Sequence, residues 1–233
     1  MRSTIYGWTM LAAIAASLWI WRRLFTKDPR LFQIYLGGLV GAMIGAKLVY
    51  IFSEVWFDYG QPNFWARLLV GRSILGGILG GYGAVELVKK LVGYTESTGD
   101  RFAMALPVSI AIGRIGCLNY GCCLGQVCDP AWYTLTDRAG VARWPAVPLE
   151  IAFNLAAALA FLSMRRAGIA RDRHFFIYIT AYGIFRAAHE FVRDTPRVLG
   201  PFSGYFFASA LLVYLGARGL RRPAAPQQVL VES

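Results

Sequence analysis

Apolar residues in this chain run in long, nearly unbroken stretches, and polar residues gather in the short segments between them. The pattern is neither the strict alternation of a half-buried strand nor the narrow stripe of a soluble amphipathic helix. Stretches long enough to cross roughly 30 Å of hydrocarbon as a helix fall at 5–25, 32–52, 69–88, 102–118, 147–164, 175–192 and 202–217. They predict an all-α polytopic membrane protein of about seven transmembrane helices. The first stretch follows Met1 and Arg2, has no small-x-small cleavage pattern and ends in Trp21-Arg22-Arg23, so it reads as a retained helix and not as a signal peptide.

Residues 1–222 read as a single transmembrane domain, and 223–233, with Pro223 and Pro226, as a disordered cytoplasmic tail. Two connecting segments carry character of their own. Segment 53–68 sets Trp56, Phe57, Phe64 and Trp65 beside Glu54, Asp58 and Arg67, the mixture of an interfacial arm lying on a bilayer surface. Segment 124–146 reads as a small exterior cap.

Composition supports lipid as part of the solvent. Hydrophobic residues make up 57% of the chain, mean hydropathy is +0.47, and 16% of residues are charged against roughly 25% in soluble proteins. The net charge of +11 does not indicate a nucleic-acid partner. Lys and Arg sit in short clusters directly after apolar runs, and no basic domain or aromatic-basic platform is present. Fourteen of the 24 Lys and Arg residues fall on one side of the spans and seven on the other, while Lys47, Arg114 and Arg186 lie inside them. The richer side is expected to be cytoplasmic, which puts the N-terminus outside and the C-terminus in the cytoplasm.

A charge in hydrocarbon costs about 2.5–3.5 kcal/mol on insertion scales, so each needs a partner or a function. Lys47, Glu86, Arg114, Glu150, Arg186, His189 and Glu190 all fall in predicted spans. Glu86 has Lys89 and Lys90 at i+3 and i+4 and reads as a snorkelling surface pair. Tyr182, Arg186, Glu190 and Arg193 share one helical face, a polar stripe descending from the outer surface or a structural pair pinning helices. Arg114 is flanked by Gly113 and Gly116, Lys47 lies deep in the second span, Glu150 opens the fifth just after Pro148, and Arg72 stands at the mouth of the third. Two or more guanidiniums with carboxylates to orient them or move a proton describe a site for an anionic phospholipid headgroup. His189 points about 100° away from Glu190 and reads as a packing residue.

The glycines of the second and third spans, among them Gly41, Gly45, Gly76, Gly77 and Gly80, fit close helix packing. Bare backbone at Gly76-Gly77 would equally let a headgroup approach. Cys117, Cys122, Cys123 and Cys128 follow a C-x4-C-C-x4-C spacing without the two separated pairs typical of zinc sites. A disulfide is the expectation if the segment faces an oxidising compartment.

These residues resemble the prolipoprotein diacylglyceryl transferases, whose signature has the form G-R-x-G-N-x-x-N-G-E-x-x-G. Residues 113–125 here read Gly-Arg-Ile-Gly-Cys-Leu-Asn-Tyr-Gly-Cys-Cys-Leu-Gly. Further landmarks follow in the family's order: Tyr6-Gly7, Lys47 with Tyr50, Ser73 to Gly77, Arg143 with Pro145 and Glu150, and Tyr182 to Arg193. The resemblance implies transfer of the diacylglyceryl group of phosphatidylglycerol to the lipobox cysteine thiol of a preprolipoprotein, with release of glycerol phosphate. It also implies a bacterial inner-membrane setting, and the lipid and a precursor signal peptide as partners, without metal or cofactor. Arg114, Arg186 and Glu190 would be the catalytic residues, the arginines holding phosphate and Glu190 orienting them. Tyr6, Lys47, Gly76, Gly77, Asn119, Glu150, Tyr182 and Arg193 would bind substrate. Leu75 stands where the family has a histidine, Cys117 where it has the first asparagine of the signature, and Cys122 where it has glutamate. A divergent member with the same donor and another acceptor, or a non-catalytic lipid-binding membrane protein, fits the same residues.

Overall fold

The computed structural model describes residues 2–25 and 28–221. The segment expected to be a disordered tail, 223–233, lies outside the described residues. The described chain is mostly helical: α1 (Arg2–Phe25), α2 (Pro29–Ser53), α3 (Phe64–Val70), α4 (Ile74–Leu91), α5 (Gly99–Tyr120), α6 (Ala146–Arg166), α7 (His174–His189) and α8 (Gly204–Leu220). Each predicted apolar stretch falls on a helix. Three of these, α2, α5 and α6, are long and apolar enough by length and composition alone to cross a membrane. Large apolar side chains such as Trp19, Met43, Leu87, Leu159 and Tyr214 stand exposed on the outer faces, a surface suited to lipid and unsuited to water.

Local chemistry sets the helix boundaries. Asp28 caps α2 by accepting from the Arg30 amide at 2.9 Å, with Pro29 in the first turn. The third predicted span begins at Ile74, later than the expected 69, because Ser73 caps α4 and residues 64–70 form the separate short helix α3. Helix α5 ends at Gly121, whose φ of +75° lets its amide return to Cys117 O at 2.9 Å. Beyond α7 the chain tightens into a 3₁₀ turn, Glu190–Val192. Two short antiparallel ladders add strand to a fold read as all helix: β1 (Leu135–Thr136) with β2 (Ala142–Arg143) in the 124–146 segment, and β3 (Arg197–Leu199) with β4 (Phe202–Ser203) just before α8.

Glycine faces govern the packing of α2 on α4. A Cβ on Gly45 would collide with the Gly76 carbonyl, and one on Gly80 with the Gly41 carbonyl, so these helices meet backbone to backbone. Helix α8 packs on α7 in the same way, where a Cβ at Gly216 would run into Thr180. Helices α1 and α6 pack on α5. One apolar cluster joins Leu75, Ile78, Phe161, Tyr178, Tyr182 and Leu212, and a second surrounds the fully buried Trp21. At the end of the bundle away from the arginines, Asp100 accepts from the amides of Asp172 at 2.7 Å and His174 at 3.0 Å, tying α5 to the start of α7.

Gly45→Ala is expected to destabilise the detergent-purified protein by about 1–3 kcal/mol, because its methyl has nowhere to go. Gly83→Ala, where a Cβ meets open space, should be neutral or stabilise by about 0.5–1 kcal/mol through helix propensity. Thermal unfolding of the two variants side by side checks the contrast.

Candidate active site

Glu150 sits in the second turn of α6 and is fully buried. A carboxylate there needs cations and donors, and three elements bring them. Arg114, on the penultimate turn of α5, places Nη2 2.8 Å from Glu150 Oε2. Arg186, near the end of α7, reaches the same oxygen at 3.9 Å through Nη1. The 3₁₀ turn brings Arg193 back inward, with Nη1 3.8 Å from Oε2. The Tyr182 hydroxyl, one turn before Arg186, donates to Oε1 at 2.6 Å.

Glu190 forms the second anionic centre. Its Oε1 pairs with Arg186 Nη2 and lies 3.5 Å from Arg193 Nε. Its Oε2 accepts from Thr195 Oγ1 at 3.0 Å and Ser203 Oγ at 2.9 Å. Ser203 also caps α8 by accepting from the Phe206 amide at 3.2 Å. Arg197 Nη1 donates to Glu190 O at 3.0 Å and holds the turn itself.

Arg114, Arg186, Arg193, Glu150 and Glu190 are all buried, and their three guanidiniums exceed their two carboxylates by one formal charge. Arg114 Nε and Arg186 Nε are buried donors with no hydrogen-bond partner among the described residues. The arginines line a cavity of about 920 Å³ that runs from Arg72, Arg114 and Arg193 at one end to Lys89, Thr98 and Arg173 at the other. Between the ends its wall is apolar, with Ile78, Leu106, Ile110 and Phe175 among the lining residues. A chamber with basic residues at both ends, three buried guanidiniums at one of them, and a largely apolar wall between matches an amphiphile with an anionic head.

The structure brings Arg114, Arg186, Glu190, Glu150, Tyr182 and Arg193 together, and gives Gly76, Lys47 and Asn119 other partners. Gly77 lines the cavity, whereas Gly76 is pressed against the Gly45 carbonyl in the α2–α4 seam. Lys47 Nζ donates to the carbonyls of Leu68 at 2.5 Å, Leu69 at 3.0 Å and Gly71 at 3.0 Å, and so pins the link between α3 and α4. Asn119 is exposed and donates to Ile115 O at 3.0 Å on its own helix. Tyr6 falls in α1, and its side chain lies outside what is described. His189 Nδ1 is 3.5 Å from Arg186 Nη1, and its ring stacks on Phe185. Glu86 pairs with Lys89 at 3.7 Å.

Several residues of the chamber went unmarked in the sequence. Glu54, just past α2, lines the cavity and accepts from the Tyr205 hydroxyl at 2.7 Å. Burial raises its carboxyl above the usual carboxylate range, and the Tyr205 hydrogen bond opposes the rise. Thr195 and Ser203 complete Glu190 from a turn and a cap, positions with no periodic signal. Cys117, Cys122 and Cys123 line the cavity as free thiols, so the expected disulfide is not formed. In the neighbouring hairpin, Asp137 is held below the usual carboxylate range by the Val141 amide and by Arg143.

The sequence profile described as prolipoprotein diacylglyceryl transferase matches residues 2–220. The chain belongs to the prolipoprotein diacylglyceryl transferase family. Among curated relatives of this family, the phosphatidylglycerol–prolipoprotein diacylglyceryl transferase of Geobacter sulfurreducens is 30% identical over 75% of this chain and 69% of its own length. The protein of the same name from Clostridium tetani is 27% identical over 73% and 71%. That of Shewanella sp. strain MR-4 is 27% identical over 95% and 88%. Leu75, next to Gly76, is buried in the apolar cluster and has no proton to exchange.

Glu150→Gln keeps the shape but leaves three guanidiniums with a single carboxylate. It should cost about 3–5 kcal/mol of stability, the penalty for uncompensating buried charge. Tyr182→Phe, which removes one hydrogen bond to an ion, should cost about 1.5–3 kcal/mol. Denaturant unfolding in micelles would rank the two.

Proposed function

We propose that this protein transfers the diacylglyceryl group of phosphatidylglycerol to the lipobox cysteine thiol of preprolipoproteins and releases glycerol phosphate. The observation that carries the proposal is the cluster of Arg114, Arg186 and Arg193, one charge in excess over Glu150 and Glu190, at the head of a chamber whose wall is largely apolar between its ends. A phosphodiester supplies the missing negative charge, and the apolar wall accommodates acyl chains. The thiolate attacks the glycerol carbon that bears the phosphate, the C–O bond breaks, and charge gathers on the departing phosphate oxygens. Arg114 and Arg186 are held by Glu150 and Glu190 where that charge develops, so they need no reorganisation as the bond breaks. Glu190 and Glu150 are positioning groups, and Tyr182 keeps Glu150 oriented. Gly77 lines the chamber beside the donor.

The same reading places the protein in the bacterial inner membrane with seven spans, α1, α2 and α4 to α8. Its arginine site then faces outward and its C-terminus the cytoplasm. The basic residues Lys89, Lys90, Arg101, Arg165, Arg166, Arg173, Arg218 and Arg221 gather at the opposite end from the site, as the positive-inside rule asks. Segment 53–68 then lies along the outer interface and 124–146 caps the chamber. One variant of this reading keeps the same lipid donor and gives it a different acceptor.

Purified protein given radiolabelled phosphatidylglycerol and a lipobox peptide should yield a thioether-linked product. Arg186→Ala should lower the rate about 10²–10³-fold, the scale for losing one preorganised donor, with the protein still inserted. A nearly normal rate in Arg186→Ala would refute the assignment. Glycerol phosphate release without modified peptide would point to the variant acceptor.

A further inference from the structure

The sulfurs of Cys117, Cys122 and Cys123 all lie within 4.8 Å of one another. We propose that they form a zinc site with three thiolate ligands and one open position facing the cavity, where an incoming thiol binds the metal.

Four observations support the site. Cys122 Sγ and Cys123 Sγ are 3.7 Å apart. With Zn–S bonds of about 2.3 Å, two sulfurs of a tetrahedral site stand about 3.8 Å apart. Cys123 holds a left-handed backbone, φ +62°, in a position where glycine is the usual occupant. This is the sharp turn that lets adjacent cysteines present both sulfurs to one point. The segment is also fixed: Gly125 bridges to Arg193, and the Gln126 amide donates to Val192 O at 2.9 Å, so the thiols ride on the framework of the arginine site. Finally, Arg114 Nη1 lies 3.8 Å from Cys117 Sγ, a donor facing one of the ligand sulfurs from the arginine site.

The burial gradient gives the open position its direction. Cys117 is buried, Cys122 is intermediate, and Cys123 is exposed and lines the cavity with the other two. Cys128, the fourth cysteine, lies outside the cluster, its amide donating to Ala142 O at 3.1 Å. The thiol-binding role rests on the transferase reading; the metal site does not. In that role the acceptor thiol gives up its proton to solvent as its sulfur joins the zinc. The sulfur lone pair then forms the S–C bond while the C–O bond to phosphate breaks, and the electron pair departs with glycerol phosphate. This supplies the thiolate that Leu75, in the place of a histidine, cannot generate.

The test is metal analysis of the full-length protein purified in detergent, followed by cobalt substitution. One zinc per chain is expected, lost in Cys117→Ser, Cys122→Ser and Cys123→Ser and retained in Cys128→Ser. The cobalt form should show thiolate charge-transfer absorption that changes with a cysteine-containing lipobox peptide and not with its serine analogue. If the serine variants fold poorly, zinc release from the unmutated protein on thiol blocking gives the same answer. Absence of zinc, a Cys122–Cys123 disulfide in its place, zinc loss in Cys128→Ser, or a cobalt spectrum indifferent to the peptide thiol would each overturn the proposal. Lipid transfer is assayed separately on the same preparation, so bound zinc with no transfer condemns the reaction and not the site.

Discussion

The carboxylate of Glu150 is placed where no solvent reaches it, and the architecture at its end of the bundle follows from that burial. An isolated ion there would be untenable. Three guanidiniums from α5, the end of α7 and the turn beyond it converge on one oxygen, and a phenol takes the other. The convergence fixes how α5, α6 and α7 meet and forces α7 to tighten into a 3₁₀ turn so that Arg193 can return. Arg114 and Arg186 each keep a buried Nε with no partner among the described residues, and on the proposed function the excess positive charge of the group meets the anionic head.

The apolar stretches read the helices well because insertion demands length and hydrophobicity whatever the partners are. The stripe of Tyr182, Arg186, Glu190 and Arg193 was legible for the same reason: charges inside a span stand out against their surroundings. Lys47 stood out equally, yet it serves three backbone carbonyls between α3 and α4. Sequence shows that a buried charge requires partners and cannot show whether they are side chains, a ligand or backbone. Gly76 and Gly77 are adjacent, and only their rotation about the helix axis decides that one lies in a seam and the other faces a cavity. Glu54, Thr195 and Ser203 were silent because carboxylates and hydroxyls just past a helix or in a turn are ordinary there.

The departures from the family signature read in the sequence fall in two places. Leu75 extends the apolar cluster where proton chemistry would otherwise sit, while three thiols occupy the wall beside Arg114. On the proposed function, the cationic part of the site serves the lipid donor and the thiol-lined wall the acceptor. Phosphate recognition depends on fixed charge and tolerates little change. The means of activating a nucleophile is a separate requirement that different side chains can meet.

A single hydroxyl joins two otherwise separate tasks. Ser203 stops the last described helix from fraying and at the same moment completes Glu190, while two residues later Tyr205 ties that helix to Glu54 at the end of α2. During synthesis α8 leaves the ribosome after every charged member of the cluster. Until Ser203 docks, Glu190 is held by Arg186 and Thr195 and lacks one of its two hydroxyl donors. The binding chamber, which Tyr205 and Gly219 help to line, is therefore closed last, when α8 packs against α7.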